Sequence, residues 1–442
     1  MASEPTAPRA AAHVTILEGV DVAPTPALAG ADVGPGVRAF IKGTAGALRF
    51  DDPLLSRHVL FLGGIGTGKT NAMMQLVGSL RASATPDDVF VVFDTKGDFL
   101  REFYRPGDAV VSNQPAGQPG AAVWNLFRDI ELSPPEERGD EAFEVSSTVF
   151  SEDLERASQN YFFAAGARDV FGATIEAMLR DGASHTNTDL RAQLEASNLD
   201  LWNMLQAHPD LAGSARYLNG NGNTPDSIRA FLQQTVNSAF SGAFRLPGEF
   251  SIRAFVRERG ARAAFVEYDI AVGSRLLPIY RVLLDMAIKE ALGMGRSGAR
   301  GNVFFVMDEF ALLPQLAHIS DGVNFGRSLG LKFIVGTQNV DQILHAYGAE
   351  IGRSIIAGFG TLFAFRLMDD ASRDVVRQRF GSNRKQLTTD LAVRSQGVRQ
   401  EVVLGNVIED WVMSSLRIGE CVLSLPEGAP FFFTFDEYVG QS

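Results

Sequence analysis

The stretch Gly63-Gly64-Ile65-Gly66-Thr67-Gly68-Lys69-Thr70 fits G-x-x-x-x-G-K-[ST], a loop that cradles nucleotide phosphates. Its flanks supply the context such a loop needs. His58-Val59-Leu60-Phe61-Leu62 before it is an apolar run bounded by glycine, the pattern of a buried parallel strand. Asn71-Ala72-Met73-Met74-Gln75-Leu76-Val77 after it predicts a helix. Glycines let the backbone wrap closely and aim N–H groups at phosphate, and the helix N-terminus adds partial positive charge. Gly63 through Asn71 are therefore the nucleotide-binding candidates. Lys69 is assigned to the β- and γ-phosphates, and Thr70 to Mg²⁺.

Other strand-like runs follow along the chain. Val89-Phe90-Val91-Val92-Phe93-Asp94 ends in Thr95-Lys96-Gly97-Asp98, placing charge at a strand's carboxyl end, where open α/β sheets bind ligands. A solvated turn is the competing reading of that segment. Asn302-Val303-Phe304-Phe305-Val306-Met307 ends in Asp308-Glu309. A carboxylate there can hold Mg²⁺, the role expected of Asp308. A second one can orient and polarise the attacking water, the role expected of Glu309. Paired with the phosphate loop, these carboxylates point to ATP hydrolysis rather than static binding. Arg327, in the segment after Asp308, is the candidate for neutralising charge on the departing phosphate, often a task of a neighbouring subunit. Gln338, after the next strand Leu331–Gly336, is placed to sense the γ-phosphate or its water. A surface arginine and a buried structural glutamine are the alternatives at these two positions.

Between about Ser133 and Phe250 strand-like runs vanish and helical spacing takes over, as in Tyr161–Leu179 and Ser227–Phe240. Asn187-Thr188-Asp189 is the expected cap of a helix over Leu190–Glu195. The block holds 17 Asp and Glu against 8 Arg and no Lys, so −9 of the chain's −12 lies here. Its aromatic stripes read as core rather than a cofactor box. The expected organisation is a mostly disordered lead over 1–36 with one short strand at His13–Leu17, a nucleotide-binding domain over 37–132 and 251–442, and an all-helical insertion over 133–250. Further helices are expected at Leu276–Leu292, Val323–Leu329 and Ala371–Phe380, with Gly381–Gln400 a loop or hairpin.

Composition narrows the class. The chain has 442 residues, 45% hydrophobic and 21% charged, ordinary for a globular protein. One cysteine, Cys421, excludes an intrachain disulfide framework, and six histidines without H-E-x-x-H give no zinc-site pattern. No apolar stretch reaches the roughly 18 residues that span a bilayer. The phosphate loop is not a dinucleotide fingerprint, because Gly64, Gly66 and Gly68 are spaced G-x-G-x-G.

Several stretches taken together resemble the type IV coupling proteins, the TraD/TrwB/TraG group, within the HerA–FtsK branch of RecA-like motor ATPases. They are HVLFLGGIGTGKT, VVFDTKGDF with Trp124-Asn125 downstream, FVEYDI, FFVMDEFALLPQL, GRSLGLKFIVGTQNVDQIL with Ala346-Tyr347-Gly348, and Arg379-Phe380-Gly381. The resemblance runs from roughly residue 50 to 440. It implies a RecA-like α/β P-loop NTPase, with a central mostly parallel sheet and an all-helical inserted domain. It implies ATP and Mg²⁺ bound between subunits of a ring, usually a homo-hexamer. The expected work is moving DNA, through the ring pore, or a nucleoprotein toward relaxosome or secretion-channel proteins. The family's arginine finger looks like Arg327 and its glutamine like Gln338.

Two departures stand out. Family members usually carry N-terminal transmembrane helices, and none is seen here. A cytoplasmic location, held at the inner face of the membrane through a partner, is the corresponding expectation. The insertion is also acidic, which suits DNA poorly, so DNA contacts are expected from arginines such as Arg394 or Arg399. The alternative is a soluble ring ATPase that handles protein substrates or acts as an assembly scaffold.

Overall fold

Strand Val59–Leu62, which feeds the phosphate loop, has a parallel neighbour on each side, and a single large sheet grows outward from that pairing. The computed structural model describes residues 12–23, 35–41, 44–114, 117–219, 223–298, 300–390 and 398–440. Its strands in chain order are β1 (Ala12–Glu18), β2 (Gly36–Ile41), β3 (Thr44–Arg49), β4 (Val59–Leu62), β5 (Val89–Asp94), β6 (Ala109–Val111), β7 (Arg262–Glu267), β8 (Val303–Met307), β9 (Leu331–Thr337), β10 (Thr361–Ala364), β11 (Ser382–Asp390), β12 (Val398–Asn406), β13 (Glu420–Ser424) and β14 (Phe431–Phe435). The main sheet has the order β3-β2-β14-β13-β10-β4-β9-β8-β5-β7-β6. From β10 to β6 every pairing is parallel, and the four strands beyond β10 are antiparallel.

The continuous apolar runs follow from burial on both faces. In β4, Leu60 and Leu62 enter one core while Val59 and Phe61 enter the other. In β5, Val89, Val91 and Phe93 face the first core, and Phe90 and Val92 the second. A strand covered on both sides has no polar face to show, so alternation disappears from its sequence. Helix Lys69–Ser83 covers the second face with Met73, Leu76, Val77 and Leu80.

Helices alone occupy the chain from Leu126 to Glu258 among the described residues. Helix Tyr161–Arg180 buries Val170, Phe171 and Ile175 at its centre, flanked by helices Arg138–Val149 and Thr224–Ala239. Helix Asn187–Glu195 starts earlier than expected, and its cap is Thr186. The Thr186 N–H donates to Asp189 Oδ2 (2.8 Å) in a capping box. The chain enters and leaves the helices through one neck, where the Asn125 N–H donates to Phe250 O (2.9 Å) and the Phe250 N–H to Val123 O (3.0 Å). The buried carboxylate of Asp129 clasps both sides of that neck. It accepts from Trp124 Nε1 (2.6 Å), Ser251 Oγ (2.5 Å) and the Arg253 N–H (2.9 Å). Burial pushes its carboxyl up to about 6, and these donors oppose the shift. Trp124 and Asn125 thus act in architecture; Asn125 Nδ2 donates to the carbonyls of His185 and Gly248, both at 3.0 Å.

Elsewhere the boundaries shift in small, explicable ways. The helix expected at Leu276–Leu292 runs over Gly273–Arg296. The one expected at Val323–Leu329 is helix Ile319–Phe325, tightening to a 3₁₀ turn over Gly326–Leu329 that Gly330 ends at φ +81°. The polar segment after Phe380 is the β11–β12 hairpin, which β1 joins as a third strand. The rest of the lead, expected to be disordered, lies outside the described residues apart from 12–23 and 35–36.

The acidity of the helical block is partly used in docking it to the sheet domain. Arg281, in helix Gly273–Arg296, is 1% exposed and donates to Glu152 Oε1 (2.8 Å) and Ser151 Oγ (2.9 Å). Lys289 of the same helix donates to Glu144 Oε2 (2.5 Å), and His318 bonds the other oxygen of Glu144. Burial alone would push the Glu144 carboxyl up, but His318 and Lys289 hold it at about 2, below its ordinary 4.5. The same hydrogen bond raises His318 above its ordinary 6.5. The Glu144 share of stability is present above pH 4.5 and lost as pH falls through about 2. The His318 share is present below pH 6.5 and lost as pH rises through its raised value. Glu144→Gln is therefore expected to cost about 1–2 kcal/mol near pH 6, discounted for its part exposure. In denaturant titrations the difference from wild type should shrink as pH climbs past His318. A loss that is independent of pH would contradict the pairing.

Candidate active site

Four adjacent strands, β4, β9, β8 and β5, run parallel, so their carboxyl ends emerge side by side. The segments that follow them carry the phosphate loop, Gln338, Asp308-Glu309 and Lys96 respectively. With strands about 4.8 Å apart, this row is about 14 Å long, the scale of a triphosphate and the groups around it.

The loop is fastened at both flanks. The Gly63 N–H donates to Thr337 O (3.2 Å) and the Gly64 N–H to Arg366 O (3.1 Å). Thr67 Oγ1 donates to Gly64 O (2.8 Å), and Thr67 O accepts the Gly419 N–H (2.9 Å). Gly66 (φ +70°) and Gly68 (φ +106°) hold left-handed backbone that strains any other residue. Ile65 stands 80% exposed at the tip. Helix Lys69–Ser83 begins at the loop's end, and its first N–H groups have no partner within the helix. Lys69 is nearly buried, its ammonium donating to the carbonyls of Gly63 and Gly64. Asn71, expected at the nucleotide, is engaged elsewhere. Its Nδ2 donates to Asp436 O (2.9 Å), and its Oδ1 accepts the Tyr438 N–H (2.6 Å).

Facing the loop, Thr70 Oγ1 donates to Asp308 Oδ1 (3.2 Å). These are hard oxygen donors close enough to share one small cation. Two protein oxygens fit Mg²⁺, which takes one or two and completes its shell with phosphate and water. Glu309 is held from one side, as Gln338 Nε2 donates to its Oε2 (2.7 Å). Its buried Oε1 has no partner among the described residues, so one carboxylate oxygen remains able to accept a proton. Burial raises both Asp308 and Glu309 and lowers Lys69, while the opposite charges at this row's centre counter each shift.

Lys69, Thr70, Asp308, Glu309 and Gln338 are thus brought together. Arg327 is not. It is exposed on the 3₁₀ turn before β9, and Gln338 follows β9, so the strand's length of roughly 20 Å separates Arg327 from the loop. Gly326–Gly330 also spells G-x-S-x-G, but a nucleophile elbow joins strand to helix, whereas this turn joins helix to strand. Lys96 is the functional candidate whose role the sequence left unassigned. Its signal was the Asp94–Asp98 stretch at a strand end.

A profile described as "Type IV secretion-system coupling protein DNA-binding domain" (TrwB_AAD_bind) matches residues 44–431, and the chain belongs to this family. Coupling protein TraD of Escherichia coli (strain K12) is 22% identical over 313 residues, covering 69% of this chain. The match spans only 41% of TraD's length. Among solved structures, the unbound conjugative coupling protein TrwBdeltaN70 matches with a TM-score of 0.71 at 18% identity, over 91% of this chain and 89% of that one. TrwB in complex with ADP and Mg²⁺ gives 0.70 at 18%, over 89% and 88%. VirB4 of Thermoanaerobacter pseudethanolicus gives 0.56 at 13%, over 92% and 97%. At such identities the likeness is one of fold, a RecA-like α/β P-loop architecture.

Glu309→Gln keeps the Gln338 contact geometry but removes the basic oxygen. It is expected to bind nucleotide within about threefold of wild type while turnover falls about 10²–10⁴-fold. Equal losses in binding and turnover, by nucleotide titration and steady-state kinetics, would assign Glu309 to binding instead.

Proposed function

We propose that this chain is an ATP-hydrolysing motor that couples DNA, or DNA with attached protein, to a conjugative or type IV secretion channel. The observation that carries the hydrolytic part is Glu309, clamped through one oxygen and unpartnered at the other beside Lys69 and Asp308. In the proposed reaction a water oxygen bonds to the γ-phosphorus as the bond to the bridging oxygen breaks. The leaving electron pair stays on ADP, and the water's proton passes to Glu309. Thr70, and Asp308 through water, would hold Mg²⁺, which would offset the charge of the phosphates. Gln338 orients Glu309 and reads the terminal phosphate. TrwB has been seen with ADP and Mg²⁺ on the same fold, which supports this choice of nucleotide and metal.

The DNA part rests on the family description of a coupling protein's DNA-binding domain. The division into a nucleotide-binding domain over 37–132 and 251–442 and an insertion over 133–250 belongs to the same proposal, as does the homo-hexameric ring. Arg327 is exposed, lies beside the 66% exposed Phe325 and is remote from its own loop; these features suit a finger offered to the next subunit. Of the arginines suggested for the pore, Arg394 lies outside the described residues, and only the backbone of Arg399, in β12, is described. No helix among the described residues is long and apolar enough to cross a membrane. The same proposal places the chain's work at the inner face of the membrane, held there by a partner.

DNA is expected to raise the rate of ATP hydrolysis by the purified chain. An intact ring that hydrolyses ATP equally with and without single- or double-stranded DNA would favour the protein-substrate reading, to which the acidic insertion lends some weight. For the shared site, Arg327→Ala is expected to lower turnover about 10³-fold. Mixing it with Glu309→Gln subunits should restore part of the activity, and no recovery would remove the trans finger.

A further inference from the structure

The turn after β5 takes no part in the chemistry above. Phe93 pairs with Met307, so Asp94 and Asp308 leave the sheet side by side. Asp94 is buried and spends its carboxylate on its own turn. Oδ1 accepts the N–H of Lys96 (3.2 Å) and Gly97 (2.9 Å), and Oδ2 that of Leu100 (2.8 Å). Gly97, at φ +71°, reverses the chain into helix Asp98–Phe103. The backbone of Lys96 is therefore fixed at the end of the row, while its side chain is exposed and forms no ion pair among the described residues.

Lys96, Glu309 and Gln338 line one cleft of about 630 Å³ that opens beyond the carboxylates. A held turn that carries an unpaired ammonium beside the proposed water-activating carboxylate is built to receive an anion there.

We infer that Lys96 is a second cation for the terminal phosphate, supplied by the same subunit as the phosphate loop. Lys69 spans the β- and γ-phosphates, and Lys96 contacts only γ-oxygens from the side of Glu309. It acts as a compact point charge with a flexible stem, able to follow the phosphoryl group as charge develops on it. Lys96 therefore discriminates triphosphate from diphosphate, which the loop alone does weakly. The inference rests on the ATPase reading and names a contact within that site.

The test is equilibrium binding of Mg·ADP and of Mg·AMP-PNP to the full chain as wild type, Lys96→Met, Lys96→Arg and Lys69→Ala, with melting curves for each. Lys96→Met keeps the stem and loses the charge. It should bind Mg·ADP within about twofold of wild type and Mg·AMP-PNP about 10–100-fold more weakly, the size of one charged hydrogen bond. Lys96→Arg should recover most of that difference, and Lys69→Ala should weaken both nucleotides. Equal weakening of the two by Lys96→Met would reduce Lys96 to a structural role and overturn the inference. Unchanged binding of both would assign the lysine to a ligand of the adjoining cleft, with the same result. A wild-type chain that binds neither nucleotide would overturn the ATPase reading itself, and the inference with it.

Discussion

The parallel register of β4, β9, β8 and β5 is the constraint on which the site depends. A phosphate loop by itself offers N–H groups and an ammonium, enough to hold an anion. It offers a metal one hydroxyl, that of Thr70, but supplies neither a carboxylate for the metal nor a base. Those come from sequence more than 200 residues later, and only strand pairing brings them near. The hydrogen bond of Gln338 to Glu309 joins neighbouring strand ends of this row, and that of Thr70 to Asp308 reaches across the end of β9 between them. Loss of register in β8 would invert Met307 and Val306 between the two cores and turn the carboxylates away.

The helical block adds a second layer of dependence. It hangs from the neck clasped by Asp129, yet it does not hang freely. Glu144 and Glu152 meet Lys289, His318 and Arg281 of the sheet domain. Arg281 is 1% exposed, so its pair with Glu152 is the most enclosed of these contacts, and the part-exposed pairs of Glu144 contribute less. Glu152, Glu155 and Arg281 also line the cleft that Glu309 and Gln338 enter. The nucleotide row and the helical block therefore share one cleft.

The chain's sequence makes the row readable where chemistry and strand pattern coincide. The glycine loop, Asp308-Glu309 and Gln338 each follow an apolar run, so their common edge could be foreseen. Asn71 shows the limit: adjacency to the loop suggested a nucleotide contact, but its side chain is tied to Asp436 and Tyr438, more than 360 residues away in sequence. Trp124 and Asn125 were legible as a family feature and not as the neck of the helical block, because their partners on helix and loop are set by tertiary packing. The acidity of the block was plain in composition. That part of it faces the chain's own Arg281 and Lys289 was not, since opposite charges far apart in sequence give no local pattern. Arg327 was read correctly as following Asp308, but sequence order does not say at which end of a parallel sheet a turn falls.

The claim that these strand ends form a metal-dependent hydrolysis site is tested most directly by phosphate release from ATP, followed for the purified full chain with Mg²⁺ and then after chelation. The account predicts release over many turnovers with Mg²⁺, an arrest on chelation and recovery when Mg²⁺ is restored. Tight nucleotide binding without phosphate release, or release that chelation leaves unchanged, would contradict it.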